Sequence, residues 1–597
     1  MTSFFLHILK TIYWARIDWF WQIWISTTAA AAVGVAWVVG HGATPMVKKD
    51  KAAAITRVRR YALSGGAVAA LTLAVLLLAG YIVVTLKWED FANGDDSYFT
   101  LFTLKGHHVE TMISRSMDGG GGRFYPLGHQ EFNLISYFTG SVVGYHVMPL
   151  AQLLIVSCIL FLLDDELSIT ARLALTALFL ILPSIVINFT GLIIPDRNVV
   201  FWLAWLVFFV KLFEKTWSTA WAVAAAICAQ IMIYYKETAF LLLLGFAVGR
   251  LIFRCRRTDG NGWDYSRLLD RESRLDLCLI SLGLLFLLYY LAAMFPHENM
   301  QYVDQFRSPL AEGFFYFLRL DPLVWLFVAV ALARAYQILR RRVAPLPLWD
   351  GLAFGGVVCF AAYVYLRLCK PWFLAPVDFI AVLYVGRFAI LSWGKMRLWS
   401  KAATLVLAVV VLLQGISLSA LSVFERKNVI HAKAELADVI AALPQSGASH
   451  VQRLFFPFST VYSVTEFASY LTYRGISVEG YGTTAESAAP NGVVIVSRAV
   501  TKDGPCLGCK NYKTFICHAG SDPDPGDLVI ELPDDPEPPV EINPYRKGGE
   551  PLFSYEPRPH ISQWMYPLLS RLRVVLHQCQ FRELHDGWLN ASMTRWK

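Results

Sequence analysis

The sequence predicts an α-helical polytopic membrane protein of about 12 transmembrane helices, followed by a C-terminal extracytoplasmic α/β domain. Three observations carry this. Of 597 residues, 56% are hydrophobic and only 16% charged, with a mean hydropathy of +0.46, where a soluble domain carries about 25% charged residues. Apolar runs close to the roughly 17 to 25 residues that a bilayer crossing needs recur as far as Val423. From His431 the pattern changes to short alternating stretches of a soluble kind.

In order, the runs extend from Gln22 to Val39, Ala62 to Leu86, Val147 to Leu163, Ala171 to Ile187, Val199 to Phe213 and Ser218 to Tyr234. They continue from Thr238 to Phe253, Leu277 to Phe295, Leu323 to Leu339, Trp349 to Leu366, Phe373 to Leu391 and Ala402 to Val423. Trp14, Trp19, Phe20 and Trp21 precede the first run as an interfacial aromatic belt, so it reads as a retained membrane segment and not as a cleaved signal peptide. The chain thus divides into an extra N-terminal membrane segment with a basic loop (1–61), a transmembrane bundle (62–424) whose long external loop is 87–146, and an extracytoplasmic soluble domain (425–597).

The net charge of +8 comes from basic residues clustered in short loops, which is a topology signal. Lys48, Lys49, Lys51, Arg57, Arg59 and Arg60 place the first connection in the cytoplasm. Alternation then puts Arg250, Arg254, Arg256, Arg257, Arg267, Arg271 and Arg274 on the same side, with Arg340 to Arg342 and Lys395, Arg397 and Lys401. The loops 87–146, 190–198 and 296–321, the corners at Lys236 and 367–372, and the tail fall outside. The expected location is a bacterial inner (plasma) membrane, with the functional face periplasmic. No basic stripe with interleaved aromatics appears, so nucleic acid is not an expected partner, and no zinc-spaced set of Cys and His occurs.

In the tail, the pattern predicts helices over Ala432–Leu443, Val461–Arg474 and Ile561–Val575 and strands over Val451–Phe456 and Val493–Ser497, with a Pro- and Asp-rich loop from Ser521 to Pro544. Cys506, Cys509, Cys517 and Cys579 lie there, on the side where disulfides persist, and are disulfide candidates. A redox Cys-x-x-Cys and a zinc site are the alternatives. Cys158, Cys228 and Cys359 sit inside apolar runs and read as packing residues.

After the second run comes Trp88-Glu89-Asp90-Phe91-Ala92-Asn93-Gly94-Asp95-Asp96-Ser97-Tyr98, opening the long loop. An outward-running membrane helix, an acidic pair at its outer end and a long loop with short helices resemble the GT-C superfamily of glycosyltransferases, and Lys236-Glu237 at an external corner is a further point of likeness. The resemblance implies a polyprenyl-phosphate-linked sugar donor, a glycan, lipid or protein acceptor, membrane lipid as solvent, and inversion in one displacement. It departs from the commonest plan of that superfamily by the extra membrane segment.

The chemistry stands beside the resemblance. Asp95 or Asp96 can take the proton of an acceptor hydroxyl as it attacks an anomeric carbon; the plain alternative is a helix cap or a solvated pair. Oxygen ligands of this kind also suit a divalent cation, so metal use is open. His107 and His108, with Lys105, Glu110 and Arg115, lie on a stretch with an amphipathic pattern, and Gly119 to Gly122 lead into Arg123 and His129. Arg197, Lys236, Glu237, Arg307, Arg319, Arg367 and Lys370 stand at other external corners or loops. A leaving phosphate needs such cations, although Lys and Arg at helix ends also snorkel to headgroups. Competing classes are an O-antigen polymerase or ligase, which would favour arginine-rich external loops, and a lipid-linked-sugar transporter or flippase, which would favour repeats and charges at mid-membrane.

Overall fold

A computed structural model describes residues 20–40, 65–88, 91, 103, 109, 111, 123–256, 263–294, 310–366, 368, 370–441, 450–455, 461–482, 493–497 and 528–532. The molecule is a helical integral membrane protein. Within lipid the backbone must bond to itself, and the described residues of each of the twelve apolar runs are mainly helical.

The helices are α1 (Phe20–Gly40), α2 (Gly65–Val83, continued by a π turn Val84–Trp88), the short α3 (Gln130–Ile135), α4 (Val142–Leu163), α5 (Ile169–Leu180) and α6 (Pro183–Thr190). Then come α7 (Asp196–Thr216), α8 (Thr219–Tyr235), α9 (Ala239–Cys255), α10 (Arg271–Met294), α11 (Leu310–Leu320) and α12 (Pro322–Leu339). The bundle closes with α13 (Pro347–Tyr365), α14 (Ala375–Ser392) and α15 (Leu398–Ala441).

The expectation of about 12 spans is met in part. Among the described residues, eight helices are long and apolar enough to cross a bilayer, or nine if α5 and α6 form one span. The run Ala171–Ile187 is broken: α5 and α6 meet at 67°, where Pro183 has no N–H to continue the ladder. α8 and α9 have only 17 residues each, and α7 carries Asp196, Arg197, Lys211, Glu214 and Lys215 near its ends. The first segment is also more than an appendage. α1 packs on α8 and α10. The Phe20 ring lies 6.1 Å from Tyr234 and 6.5 Å from Tyr289. At its other end Val39 and Val38 carbonyls accept from Arg271 Nε (3.0 Å) and Arg274 Nη1 (3.3 Å). Two arginines read as topology signals thus cap the orphan carbonyls of a helix end.

α9 and α13 approach through small residues. A Cβ on Gly245 would stand 2.8 Å from Gly355 Cα, and one on Gly355 would stand 2.8 Å from Leu242 O. Lipid offers no hydrophobic drive between helices, so close backbone packing of this kind holds them together. Gly355→Val is expected to force the pair apart at a cost of about 1–3 kcal/mol, read as a lower unfolding temperature in detergent; an unchanged value would show that the contact yields without cost.

The last helix is longer than the sequence suggests. The span ending at Val423 and the amphipathic stretch that follows it, as far as Ala441, are one helix, α15, of 44 residues. At 1.5 Å per residue it extends roughly 66 Å, against about 30 Å for the hydrocarbon layer. Beyond it, β1 (His450–Phe455), α16 (Val461–Tyr473), β2 (Ser477–Gly482), β3 (Val493–Ser497) and β4 (Leu528–Leu532) form a small α/β unit. Its four strands are parallel in the order β2-β1-β3-β4, and α16 makes the crossover from β1 to β2. β4 lies inside the stretch expected to be loop, because Leu528, Val529 and Ile530 are a short buried-strand signal between Pro and Asp residues. The expected helix 561–575 and Cys506, Cys509, Cys517 and Cys579 lie outside the described residues. Cys228 and Cys359 are buried as expected of packing residues, whereas Cys158 is exposed on its helix.

Candidate active site

The segment 123–135 is seated on α8 and α10 by its aromatic residue. Phe124 is fully buried, with Tyr289 at 5.1 Å and Phe286 at 5.5 Å, and Leu127 N donates to Tyr234 O at 3.1 Å. A tight turn follows, closed by Gly128 N to Tyr125 O at 2.8 Å. A side chain on Gly128 would meet the Tyr125 ring at 2.1 Å, so only glycine fits. His129 adopts a left-handed conformation, φ 65°, and starts α3. Its ring stacks on Phe132 at 5.9 Å. The expected substrate contact is therefore buried among aromatic rings at the turn that launches α3.

That turn brings the loop against the ends of α7, α8 and α13–α14, where three ion pairs assemble. Arg123 binds Glu237 Oε1 through Nε (3.2 Å) and Nη2 (3.0 Å), with its guanidinium 4.3 Å over Tyr125. Lys236 Nζ is 3.5 Å from Asp196 Oδ2 and 4.5 Å over the Phe373 ring. Arg197 Nη2 is 3.4 Å from Glu131 Oε1, while its Nη1 donates to Gly191 O at 2.7 Å. Asn198 Nδ2 donates to the same Glu131 oxygen at 2.7 Å, and Gln152 Nε2 of α4 fixes the Asn198 amide at 2.8 Å. Asp196 and Arg197 are fully buried and Lys236 nearly so.

The carboxylates are driven apart. Burial pushes Glu131 up, and Arg197 offsets this only in part. Burial also pushes Glu237 up, but Arg123 and Lys236 outweigh it and hold the group below its ordinary value. Groups separated in this way are a mark of functional sites.

Arg123, Arg197, Lys236 and Glu237 are thus brought together. Lys370 lies 5.6 Å from the Trp372 ring, whose backbone carbonyl accepts from Asn188 Nδ2 at 2.9 Å. Arg319 is exposed at the end of α11. Asp95, Asp96, His107, His108, Arg307 and Arg367 lie outside the described residues. One residue on each side of the acidic pair, Phe91 and Thr103, is described, and both touch one side chain: the Phe91 ring is 5.4 Å from Tyr145, and Thr103 Oγ1 is 2.9 Å from Tyr145 OH. Tyr145 in turn lies 6.1 Å from Phe132. Tyr473 of α16 also packs on Phe91, at 5.1 Å, so the tail meets the start of this loop.

Sequence reading missed Glu131, Asp196, Asn198 and Gln152 as site residues. Glu131 had a usable signal, an acid two positions beyond a chosen histidine. A second polar group stands apart: Asp321 caps α12 through Leu323 N (2.8 Å) and Val324 N (3.4 Å), and Ser184 donates to Asp378. Among the described residues no group of three or more His, Cys, Asp or Glu is placed to hold a metal ion.

No protein-family model matches the chain, and no curated protein matches its sequence. Among solved structures that overlap it loosely are the following two. One is ArnT from Cupriavidus metallidurans bound to undecaprenyl phosphate, 13% identical, covering 69% of this chain and 89% of its own, with a TM-score of 0.40. The other is the Archaeoglobus fulgidus oligosaccharyltransferase in complex with Zn and sulfate, 11% identical, covering 70% of this chain and 63% of its own, with a TM-score of 0.38. At these scores neither decides the chemistry of this chain.

Proposed function

We propose that the chain is a membrane glycosyltransferase of the GT-C kind. It moves a monosaccharide from a polyprenyl-phosphate-linked donor to an extracytoplasmic glycan, lipid or protein acceptor, with inversion. The observation that supports this best is a buried set of three carboxylates and three cations, Glu131, Asp196, Glu237, Arg123, Arg197 and Lys236, at one end of the bundle, beside Tyr145, which holds both flanks of the Asp95–Asp96 segment. Charges buried at helix ends are retained where they serve a site.

In this reading Asp95 or Asp96 removes the acceptor hydroxyl proton. The acceptor oxygen bonds to the anomeric carbon as the bond from that carbon to the phosphate oxygen breaks, and polyprenyl phosphate leaves with the electron pair. No second catalytic carboxylate is needed for inversion. The site faces the periplasm of a bacterial inner membrane, in agreement with the placement of the basic loops.

Purified protein incubated with a panel of polyprenyl-phosphate sugars should release polyprenyl phosphate and glycosylate an acceptor from an envelope extract. The same assay run with EDTA, and then with Mg²⁺ or Mn²⁺ restored, decides whether the acidic pair works with an ion. Movement of intact donor across vesicles without release of polyprenyl phosphate would instead establish a flippase.

A further inference from the structure

Three of the cations expected to meet a leaving phosphate lie against acids: Arg123 against Glu237, Lys236 against Asp196, Arg197 against Glu131. The formal charges of these three pairs sum to zero. The acids, by contrast, are under-used. Arg123 Nε and Nη2 both donate to Glu237 Oε1, and Arg197 and Asn198 both donate to Glu131 Oε1. Among the described residues, Glu131 Oε2 and Glu237 Oε2 are buried with no hydrogen-bond partner. Among the described residues Asp196, fully buried, has no hydrogen bond on either oxygen, and Lys236 approaches it to 3.5 Å.

Buried acceptors in native proteins are paired, and an orphan calls for a ligand or a water. Four such carboxylate oxygens, on three side chains, call for donors. A phosphate, ionised, brings only further acceptors; a neutral polyhydroxyl ring brings several O–H donors on one rigid frame. We infer that Glu131, Asp196 and Glu237 bind hydroxyl groups of the sugar carried by the donor, making this cluster the sugar subsite, with the donor phosphate held outside the three ion pairs. The inference rests on the glycosyltransferase reading. Glu131 is its best probe, because its Oε1 is fixed by two donors and its Oε2 is left for the ligand.

The test is binding, measured with undecaprenyl phosphate alone and with undecaprenyl-phosphate-linked mannose, glucose, galactose or arabinose. For whichever sugar wild-type protein binds more tightly than the bare lipid phosphate, Glu131→Gln and Glu131→Ala should lose about tenfold or more in affinity, as for one hydrogen bond to a charged group. Their affinity for undecaprenyl phosphate alone should stay within about twofold, which also shows that the variants are folded. Sugar preference that survives in both variants, or an equal loss for both lipids, overturns the inference and leaves the glycosyltransferase reading standing. A wild-type protein that prefers none of the glycosylated lipids to the bare phosphate removes that reading, and the inference with it.

Discussion

Asp96→Asn and Asp95→Asn proteins are expected to bind donor with nearly wild-type affinity and to transfer sugar about 10²- to 10⁴-fold more slowly, the usual loss on removing a general base. Asparagine keeps the size of the side chain but cannot take the hydroxyl proton. The effect should therefore fall on turnover, whereas a Glu131 change falls on donor affinity. Helix phase does not separate the two aspartates, so both are replaced singly, with Asp96 expected to show the larger loss. Wild-type turnover in both variants would make the acidic pair structural and the base assignment wrong.

The largest stability effect is expected at the other end of the bundle. Arg250 is fully buried, with Nε 2.7 Å from Asp276 and Nη2 3.0 Å from Glu214. Arg254 joins the network through Glu214 at 3.2 Å and Glu272 at 2.8 Å. Asp276 is itself fully buried, so Asp276→Ala leaves a guanidinium without its nearest counter-charge, in a place that water does not reach. Breaking one partner of a buried pair costs about 3–5 kcal/mol, while replacing both by apolar groups is often neutral. Thermal unfolding in detergent should show a large drop for Asp276→Ala and substantial recovery for the double variant Arg250→Met, Asp276→Leu. A single variant as stable as the wild type would mean that the network is hydrated.

Hydropathy located all twelve apolar runs, since lipid imposes helix on any such run. It did not reveal the break at Pro183, because length and apolarity carry no information on direction. Nor did it join the last span to the amphipathic stretch after it: the polar segment 424–431 read as a boundary, but Glu, Arg and Lys are good helix formers and let the turn pattern run on. At the site, Lys236, Glu237, Arg197 and Arg123 were legible as charges at corners. Their pairing was not, because Glu131 and Arg197 are 66 residues apart and Arg123 and Glu237 are 114 apart. Asn198 and Gln152, uncharged and inside helices, left no mark in the pattern. The arginines at 250 and 254 were legible in number but not in role, having turned inward to acids on α7 and α10.

The continuous α15 makes bilayer thickness a variable for the tail. A stiff helix that is longer than the hydrocarbon layer answers a thinner membrane by tilting, and without a joint near the surface the tilt is carried to its far end. There the α/β unit is attached through 450–455 and also rests on Phe91 through Tyr473. Acyl-chain length in reconstituted vesicles would therefore bear on the strain between these two attachments, and through Phe91 on the segment that opens the long loop.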